Sequence, residues 1–179
     1  EEIKNSQKNS KLIVSGCLAK ARPSLINRIV PNASLVSPQN STKILDVVES
    51  ENKVVLLDGE RDTEFLPTPP IQDSIATIMV EEGCVDNCSF CITKLARQTL
   101  KSYKPRVIIE TIQKLVNKGV KEIRLTGQDI AAYGLDFNQK FRLDELINAI
   151  LDKVKGEYKI RIGMMTPDKA MEIIDNLLD

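Results

Sequence analysis

Three of the four cysteines in the chain lie within one short stretch, EEGCVDNCSFCITK, residues 81–94. They are Cys84, Cys88 and Cys91, and their spacing is C-x3-C-x2-C. Thiolates are ligands for soft metals, and such close spacing allows one loop to wrap around a single metal centre. A structural zinc site usually takes four ligands from two separate pairs, but this loop supplies three.

The number of thiols favours an iron–sulfur cluster with an open position. A 4Fe–4S cluster has four irons, and each iron normally holds one thiolate. Three cysteines therefore leave one iron available to a substrate or cofactor. Three other interpretations remain open, namely a zinc site that recruits Cys17, a closed electron-transfer cluster, and cysteines that bind nothing.

The composition excludes several classes of enzyme for this chain. With no histidine in 179 residues, it has no Ser-His-Asp triad, no Cys-His pair and no histidine-ligated metal site. Lysine plus arginine equals aspartate plus glutamate, 25 each, so the net charge indicates no particular partner. No apolar run reaches the roughly 18 residues of a membrane helix, so we expect no membrane segment in this chain.

The cysteine content and the first residues indicate the setting of the chain. The few cysteines do not resemble a disulfide framework, and no secretory signal is visible, which predicts a reducing, cytoplasmic environment. The first residues, EEIKNSQKNS, include no initiator methionine, so we expect a fragment or a processed piece of a longer protein.

Residues 1–66 predict the end of a small α/β domain. KLIVSGC (residues 11–17) is typical of a buried strand that runs into a loop. A short helix with Pro23 near its first turn, a second strand in ASLVS and a helix in NSTKILDVVES follow. In the last helix we expect Ser41 or Thr42 as N-cap. Its apolar face is predicted to consist of Ile44, Leu45, Val47 and Val48.

A proline-rich segment divides the chain. Pro67, Pro69 and Pro70 follow a polar, charged stretch, so we predict a linker at residues 67–73 and a second domain at 74–179.

The sequence pattern of the second domain predicts three consecutive β-α units of a parallel sheet. Ile75–Val80 is nearly all apolar, as in a strand that is buried on both faces, and VKEIRLTG and EYKIRIGMM are the next strands. The helices between them are PRVIIETIQKLVNKG, with Pro105 in its first turn and Gly119 at its end, and RLDELINAILDKVKG. A third helix is expected in TPDKAMEIIDNLLD, with Thr166 as N-cap and Pro167 next to it. The pattern favours an open parallel sheet or the start of a barrel.

Ligands of such sheets bind at the carboxyl ends of the strands. Three loops are expected there, namely the cysteine loop, LTGQDIAAYG and GMMTPD. They place thiols next to a polar, glycine-containing turn.

These segments carry a resemblance to a known family. The C-x3-C-x2-C loop with Phe90 before its third cysteine resembles the radical S-adenosylmethionine (SAM) superfamily. GCVDNCSFCITKLARQTLKSY, EIRLTGQDIAAYG and IRIGMMTP are similar to the tRNA methylthiotransferases. Within them the similarity is greatest to the archaeal and eukaryotic type that acts on N6-threonylcarbamoyladenosine beside the anticodon. VSGCLAKARP, around Cys17, resembles the last cysteine motif of the N-terminal domain of that family.

The resemblance implies roles for individual residues. Cys84, Cys88 and Cys91 would hold a 4Fe–4S cluster whose open iron binds the methionine end of SAM. Phe90 would lie near the adenine. The methionine amino group would be bound at Thr126, Gly127 and Gln128, where Gln128 or Asp129 replaces the acidic residue usual in the superfamily.

The implied reaction is the transfer of a methylthio group to C2 of the modified adenosine through a 5′-deoxyadenosyl radical, with an electron donor protein and tRNA as partners. The implied fold is the first half of a partial β/α barrel. A second 4Fe–4S cluster of the family is bound by three N-terminal cysteines, of which the chain contains only Cys17. We therefore expect the second cluster in the full-length enzyme only, and no methylthiotransferase activity from this chain alone.

A basic stretch follows the cysteine loop. Residues 94–106 contain no Asp or Glu but contain five cations and a tyrosine, which are Lys94, Arg97, Lys101, Tyr103, Lys104 and Arg106. Such a strip can neutralise phosphates and offer an aromatic ring for base stacking, and we predict that it contacts tRNA. The alternatives are a solvated charged face and, for Lys94 or Arg97, a contact with the SAM carboxylate.

Two rival functions remain at this point. One is methylthio transfer to isopentenyladenosine in tRNA or to a ribosomal protein, against which the stretch KLARQTLKSY argues. The other is a zinc-stabilised RNA-binding module without catalysis.

Overall fold

The structure is a computed structural model that describes residues 10–139 and 141–178. These residues form two compact units. The first unit contains the described residues up to Arg61 together with Asn87–Gln98, and the second contains Asp62–Asp86 and the described residues from Thr99 onward. The predicted linker at 67–73 lies within the second unit, where Ile71–Gln72 forms an edge strand. The division into domains at that linker stays a prediction.

The first unit contains a parallel sheet of three short strands. Its elements are β1 (Ile13–Ser15), α1 (Cys17–Ala21), α2 (Pro23–Ile29), β2 (Ser34–Val36), a 3-10 helix (Pro38–Lys43), α3 (Ile44–Glu49), β3 (Val55–Leu56) and α4 (Thr93–Arg97). Strand β2 lies between β1 and β3, so that Leu35 is opposite Val14 and Val55. Ala19, Ile26 and Leu35 form a small buried cluster. The predicted α/β layer is confirmed.

The start of α3 differs from the prediction. Ser41 and Thr42 are inside the 3-10 helix, so neither is the N-cap of α3, which is Lys43. Val47 is buried, whereas Leu45 and Val48 are 68% and 54% exposed, so the predicted apolar face was too wide. A helix of two turns has room for only a narrow buried stripe.

Helix α4 brings part of the cysteine stretch into the first unit. It packs against α1. The side-chain amide of Gln39 donates to the backbone oxygens of Ala96 at 3.2 Å and Arg97 at 3.3 Å. These contacts fix the end of α4 on the 3-10 helix.

The second unit contains a four-stranded sheet. Its elements are β4 (Ile71–Gln72), β5 (Ile75–Met79), β6 (Glu81–Glu82), β7 (Lys101–Ser102), α5 (Pro105–Asn117), β8 (Glu122–Thr126), a 3-10 helix (Ile130–Ala132), α6 (Leu143–Lys153), β9 (Lys159–Ile162), α7 (Pro167–Met171) and α8 (Ile174–Leu178). The sheet order is β4-β5-β8-β9, with β5, β8 and β9 parallel and β4 antiparallel. Strands β6 and β7 form a separate antiparallel pair.

The core of the second unit lies between the sheet and the helices. Ala76, Ile78, Ile123 and Leu125 from the strands join apolar residues of α5 and α6 in one buried cluster. Helix α5 begins with a proline at its first position, and Gly119 follows its end with φ +88°. Both features confirm the helix boundaries that the sequence predicted.

Two predictions for this unit were wrong. Strand β5 is not buried on both faces, because Ala76 and Ile78 are buried but Thr77 is exposed. The third helix is divided into α7 and α8. Thr166 is the N-cap residue of α7, but its hydroxyl donates to Asp129 and does not cap the helix.

No helix among residues 10–139 and 141–178 is long and apolar enough to cross a membrane.

Candidate active site

Three loops meet at the carboxyl ends of β5, β8 and β9. The N–H of Val80 donates to the carbonyl of Thr126 at 2.9 Å, which joins the residue after β5 to the end of β8. The N–H of Ile130 donates to the carbonyl of Met164 at 2.9 Å, which joins the loop after β8 to the loop after β9. The start of the cysteine loop, the TGQD segment and the MMTP segment therefore share one edge of the sheet.

Glu81 is a fully buried carboxyl group at this edge. Its Oε1 accepts the N–H of Asp129 at 3.0 Å. Burial, which outweighs the backbone hydrogen bonds from Asp129 and Gln128, raises the pKa of Glu81 to about 7. The other oxygen, Oε2, is buried and has no hydrogen-bond partner among the described residues. Because an unsatisfied buried oxygen is costly, this position suits a hydrogen-bond donor from a bound molecule.

Gly127 lets the two loops approach closely. A Cβ at this position would lie 1.8 Å from Glu81 Oε1, which is far inside contact distance. Of the predicted residues, Gly127 and the backbone of Gln128 thus lie against the end of a buried carboxyl group, and Thr126 precedes them at the end of β8. Gln128 Oε1 accepts the N–H of Gly83 at 2.7 Å, so this side chain holds the backbone just before Cys84.

Asp129 connects the second and third loops. It is 1% exposed, and its carboxylate accepts the N–H of Thr166 at 2.9 Å and the hydroxyl of Thr166 at 2.7 Å. The ammonium group of Lys169 lies 3.4 Å from the same carboxylate. Its oxygens are therefore committed to partners within the second unit.

Cys84 is the cysteine that the second unit holds. Its side chain is partly buried, and its sulfur accepts the N–H of Asp86 at 3.4 Å. Burial raises the pKa of the Cys84 thiol. Since the thiolate is the form that binds metal, a bound metal must offset this cost.

Cys88, Phe90 and Cys91 belong to the first unit. The N–H of Cys91 donates to the carbonyl of Cys88 at 3.1 Å, so the two cysteines share one tight turn. A hydrogen bond from the side chain of Thr93, together with the backbone N–H groups of Thr93 and Lys94, lowers the pKa of Cys91. The ring of Phe90 is 89% exposed, which leaves a face available to a ligand.

The fourth cysteine, Cys17, is exposed at the start of α1 in the first unit. Within the described ranges, no group of three or more Cys, Asp or Glu side chains is arranged to hold a metal ion. The assignment of Cys84, Cys88 and Cys91 as ligands therefore depends on their residue type and spacing.

The basic stretch is divided between the two units. Lys94 and Arg97 lie on α4 in the first unit, whereas Lys101, Lys104 and Arg106 lie in the second. Arg106 pairs with Glu110 at 3.1 Å and with Glu64 at 3.7 Å. Glu64 lies before the basic stretch and Glu110 lies four residues after Arg106 on α5. Both carboxylates offset the positive charge of Arg106. The ammonium group of Lys104 lies 5.5 Å from the centre of the Phe137 ring.

Tyr103 corrects the prediction for this stretch. Its side chain is 1% exposed, and its hydroxyl donates to Glu82 at 3.2 Å. The backbone of Tyr103 also pairs with Val80 and accepts the hydroxyl of Tyr133. A ring in the core has no face for base stacking, so Tyr103 supports the site from within.

Sequence reasoning missed three residues of this edge, Glu81, Asp86 and Lys169. Asp86 lies between the first two cysteines, and Lys169 follows TPD in the third loop. Their only sequence signal is proximity to the predicted loops, because the contacts that define them join residues 48 to 83 positions apart.

The chain matches the family model of the radical SAM superfamily over residues 78–179. That range begins within β5 and includes all three loops. The chain belongs to the radical SAM superfamily. The match confirms the family that the cysteine spacing indicated.

Several relatives align with nearly the whole chain. A probable threonylcarbamoyladenosine tRNA methylthiotransferase of Archaeoglobus fulgidus is 34% identical over 97% of this chain and 41% of its own length. One with the same description from Methanothermobacter thermautotrophicus is 31% identical over 100% of this chain and 42% of its own. The ribosomal protein uS12 methylthiotransferase RimO of Clostridioides difficile is 32% identical over 96% and 40%. This radical SAM chain thus spans about two-fifths of the length of these relatives.

Proposed function

We propose that the chain is part of a radical SAM methylthiotransferase and holds a 4Fe–4S cluster on Cys84, Cys88 and Cys91. The observation that carries the proposal is the three-thiol loop that follows β5, the first strand of the parallel run, and the short strand β6. When bound, such a cluster with SAM supplies one-electron cleavage of a sulfonium and thereby a radical that removes hydrogen from the substrate.

The residues at the edge of the sheet fit the amino end of SAM. The buried and unpartnered Oε2 of Glu81 is the candidate acceptor for a donor such as an ammonium group, and the absence of a side chain at Gly127 leaves the room that the Glu81 carboxyl group occupies. Thr126 lies beside them at the end of β8. Gln128, by contrast, acts as a brace for Gly83. Phe90, with its exposed ring, is the candidate for contact with the adenine.

The fold proposed for the second unit is the first half of a partial β/α barrel. The parallel strands β5, β8 and β9 are neighbours in chain order, with α5 and α6 in the crossovers. This order is the one found in barrels, and it shows no reversal of the kind that doubly wound sheets have at their switch point.

The cluster is tested by anaerobic reconstitution with iron and sulfide. We expect about four irons per chain and a change of the EPR signal of the reduced cluster when SAM is added. Cys84→Ser should lose the cluster. Cys17→Ser is the matched control, because Cys17 lies outside the loop, and it should retain the cluster.

The same measurement separates the rival function. Zinc in place of iron in the wild-type chain would contradict the proposal and favour the zinc-stabilised RNA-binding module. A cluster that survives Cys84→Ser would contradict the ligand assignment.

We propose N6-threonylcarbamoyladenosine in tRNA as the substrate, with C2 of the adenine as the acceptor of the methylthio group. The names of the archaeal relatives support this choice, and the uS12 relative supports the ribosomal-protein alternative. Isopentenyladenosine in tRNA is the third candidate. Mass spectrometry of tRNA nucleosides and of uS12, from cells with and without the full-length gene, distinguishes the three. Loss of the methylthio group from any molecule other than threonylcarbamoyladenosine would overturn the proposal.

We also propose that the basic stretch contacts tRNA through Lys94, Arg97, Lys101, Lys104 and Arg106. Of the cations in the second unit, Lys101 is half-buried and Lys104 is exposed. Lys101→Ala and Lys104→Ala should each weaken tRNA binding and reduce the slope of log K against log salt by about 0.7 to 0.9. Lys155→Ala, in the loop after α6, should leave both quantities unchanged.

Further partners belong to the full-length enzyme. Cys17 is the candidate for a ligand of a second 4Fe–4S cluster there, and a cytoplasmic electron donor protein would reduce the first cluster.

A further inference from the structure

Lys169 is a buried cation in the second unit that no role above explains. Its side chain is 9% exposed. Its ammonium group donates to Asp86 at 2.6 Å and to the Thr166 hydroxyl at 3.3 Å, and it lies 3.4 Å from Asp129. Burial alone would lower the pKa of Lys169, but the hydrogen bonds to Asp86 and Asp129 raise it overall, so the group stays charged.

Asp86 connects this cation to the cysteine loop. It follows Cys84 by two residues, and its N–H donates to the Cys84 sulfur at 3.4 Å. It is also the last residue of this segment in the second unit, because the chain continues at Asn87 in the first. Asp86 is thus tied through its backbone to Cys84 and through its carboxylate to Lys169.

The network spans the ends of all three parallel strands. Asp86 follows β5, Asp129 follows β8, and Thr166 and Lys169 follow β9. One ammonium group therefore joins the first cysteine to the two loops that complete this edge of the sheet.

We propose that Lys169 is a positioning residue for Cys84 and that the Lys169–Asp86 pair tunes the reduction potential of the centre that Cys84 holds. This inference rests on the proposed cluster. Net charge and hydrogen bonds to the sulfur ligands set the potential of iron–sulfur clusters. A reduced cluster carries one more negative charge, so a nearby cation raises the potential and a nearby carboxylate lowers it.

The charge role is tested by EPR-monitored redox titration of the reconstituted chain. Lys169→Met should shift the potential to more negative values, whereas Asp86→Asn should shift it to more positive values. Lys169→Arg, which keeps the charge, should stay closer to the wild type than Lys169→Met. Lys121→Met is the matched control, because Lys121 pairs with Glu157 at the amino end of β8 and should leave the potential unchanged.

The two substitutions should shift the reduction potential in opposite directions if charge sets it. A loosened loop would instead shift the potential in the same direction in both variants. If Lys169→Met and Asp86→Asn shift the potential in the same direction, or if neither differs from Lys121→Met, the proposed tuning is wrong.

The positioning role is tested in the metal-free chain by amide hydrogen exchange. Lys169→Met should lower the protection of the Asp86 amide about tenfold, the equivalent of one hydrogen bond to a charged group. Lys121→Met should not change it. Unchanged protection in Lys169→Met would overturn the positioning role. The exchange measurement does not depend on iron. If the wild-type chain fails to bind iron, the proposed cluster is wrong, and the exchange measurement still tests whether Lys169 positions the cysteine loop.

Discussion

The two units both contain parallel strands, but they bury different kinds of polar side chain. Among the described residues of the first unit, the buried polar ones are neutral: Ser34, Ser37 and Asn40. Asn40 donates to Ser37 and to the carbonyls of Leu56 and Asp58. Among the described residues of the second unit most of them are ionisable, and they are Glu81, Glu82, Ser102, Thr111, Asp129, Asp144 and Lys169.

This difference shows which unit bears the energetic cost of buried ionisable groups. Neutral amides and hydroxyls fasten loops at little electrostatic cost, whereas a buried charge is costly unless it has partners. In the part of the chain that the structure describes, the apolar cluster of the second unit has nineteen buried members and that of the first has three, so the second unit can tolerate that cost. Four predictions test the contrast.

The largest effect is expected in the core of the second unit. Leu115 on α5 is fully buried, and Leu115→Ala should lower the free energy of unfolding of this unit by about 3 to 4 kcal/mol. Leu35→Ala, also fully buried but in the small cluster of the first unit, should cost about 2 kcal/mol, because a shallow site collapses more easily. Hydrogen exchange at β8 and β2 measures the two units separately. Equal losses of unfolding free energy in the two variants would contradict the inferred difference between the two cores.

The buried carboxyl group of Glu81 predicts a pH dependence in the second unit. Its pKa rises from 4.5 in the unfolded chain to about 7 in the fold, so the folded state holds a proton that the unfolded chain releases. This stabilisation is complete below about pH 4.5 and is lost as the pH rises through about 7. The difference between the two pKa values corresponds to about 3 kcal/mol.

Urea unfolding across this pH range, with exchange at β8 and β2 as separate probes, checks the prediction. Glu81→Gln should flatten the dependence at β8. Protection at β2 should not follow it, because Ser34, Ser37 and Asn40, the buried polar side chains described in the first unit, do not ionise. The prediction would be wrong if the free energy of unfolding of the second unit in the wild type rises between pH 4.5 and 7.

Close packing of Gly127 against Glu81 gives a smaller effect. Gly127→Ala should destabilise the second unit by about 2 kcal/mol, because the added methyl group must displace a buried carboxyl group. In a Glu81→Ala background the same substitution should cost much less. A cost that is the same in both backgrounds would show that the two residues do not meet.

The smallest effect concerns the end of α5. Gly119 has φ +88° and open space around its Cα, so Gly119→Ala should cost about 1 kcal/mol through backbone strain alone. Gly119→Asn should cost less, since asparagine tolerates this conformation. In the first unit, helices α1, α2 and α3 have Arg22, Val30 and Ser50 as their C-cap residues, and none of the three ends with a glycine. Thermal melts of the wild type and the two variants are sufficient to check the order.

Local signals explain what could be predicted. Pro105 and Gly119 limit α5 through their own backbone preferences, and the cysteine spacing identifies the superfamily because all three thiols lie in one loop. The N-cap of α3 was placed wrongly because a 3-10 turn, held by the contacts of Asn40, takes up Ser41 and Thr42.

Long-range contacts explain which features could not be predicted from the sequence. Tyr103 looked like a stacking residue because its neighbours are basic, but its ring is buried and its hydroxyl donates to Glu82. The side-chain oxygen of Gln128 accepts the N–H of Gly83, a contact that its sequence position did not indicate, and its contact with a ligand stays a prediction. Glu81 and Lys169 gave no signal, since their partners lie 48 and 83 positions away.

Residue types at short spacing were enough to predict the radical SAM family, the α/β class, the order of the β-α units and the three-cysteine loop. Which polar side chains are buried at the carboxyl ends of β5, β8 and β9 depends instead on contacts between distant segments of the folded chain. The tertiary structure made Glu81 a carboxyl group with a raised pKa and tied Lys169 to the cysteine loop. The physical reason is that burial and charge pairing depend on what the folded chain brings alongside a residue, and the identity of that residue does not specify it.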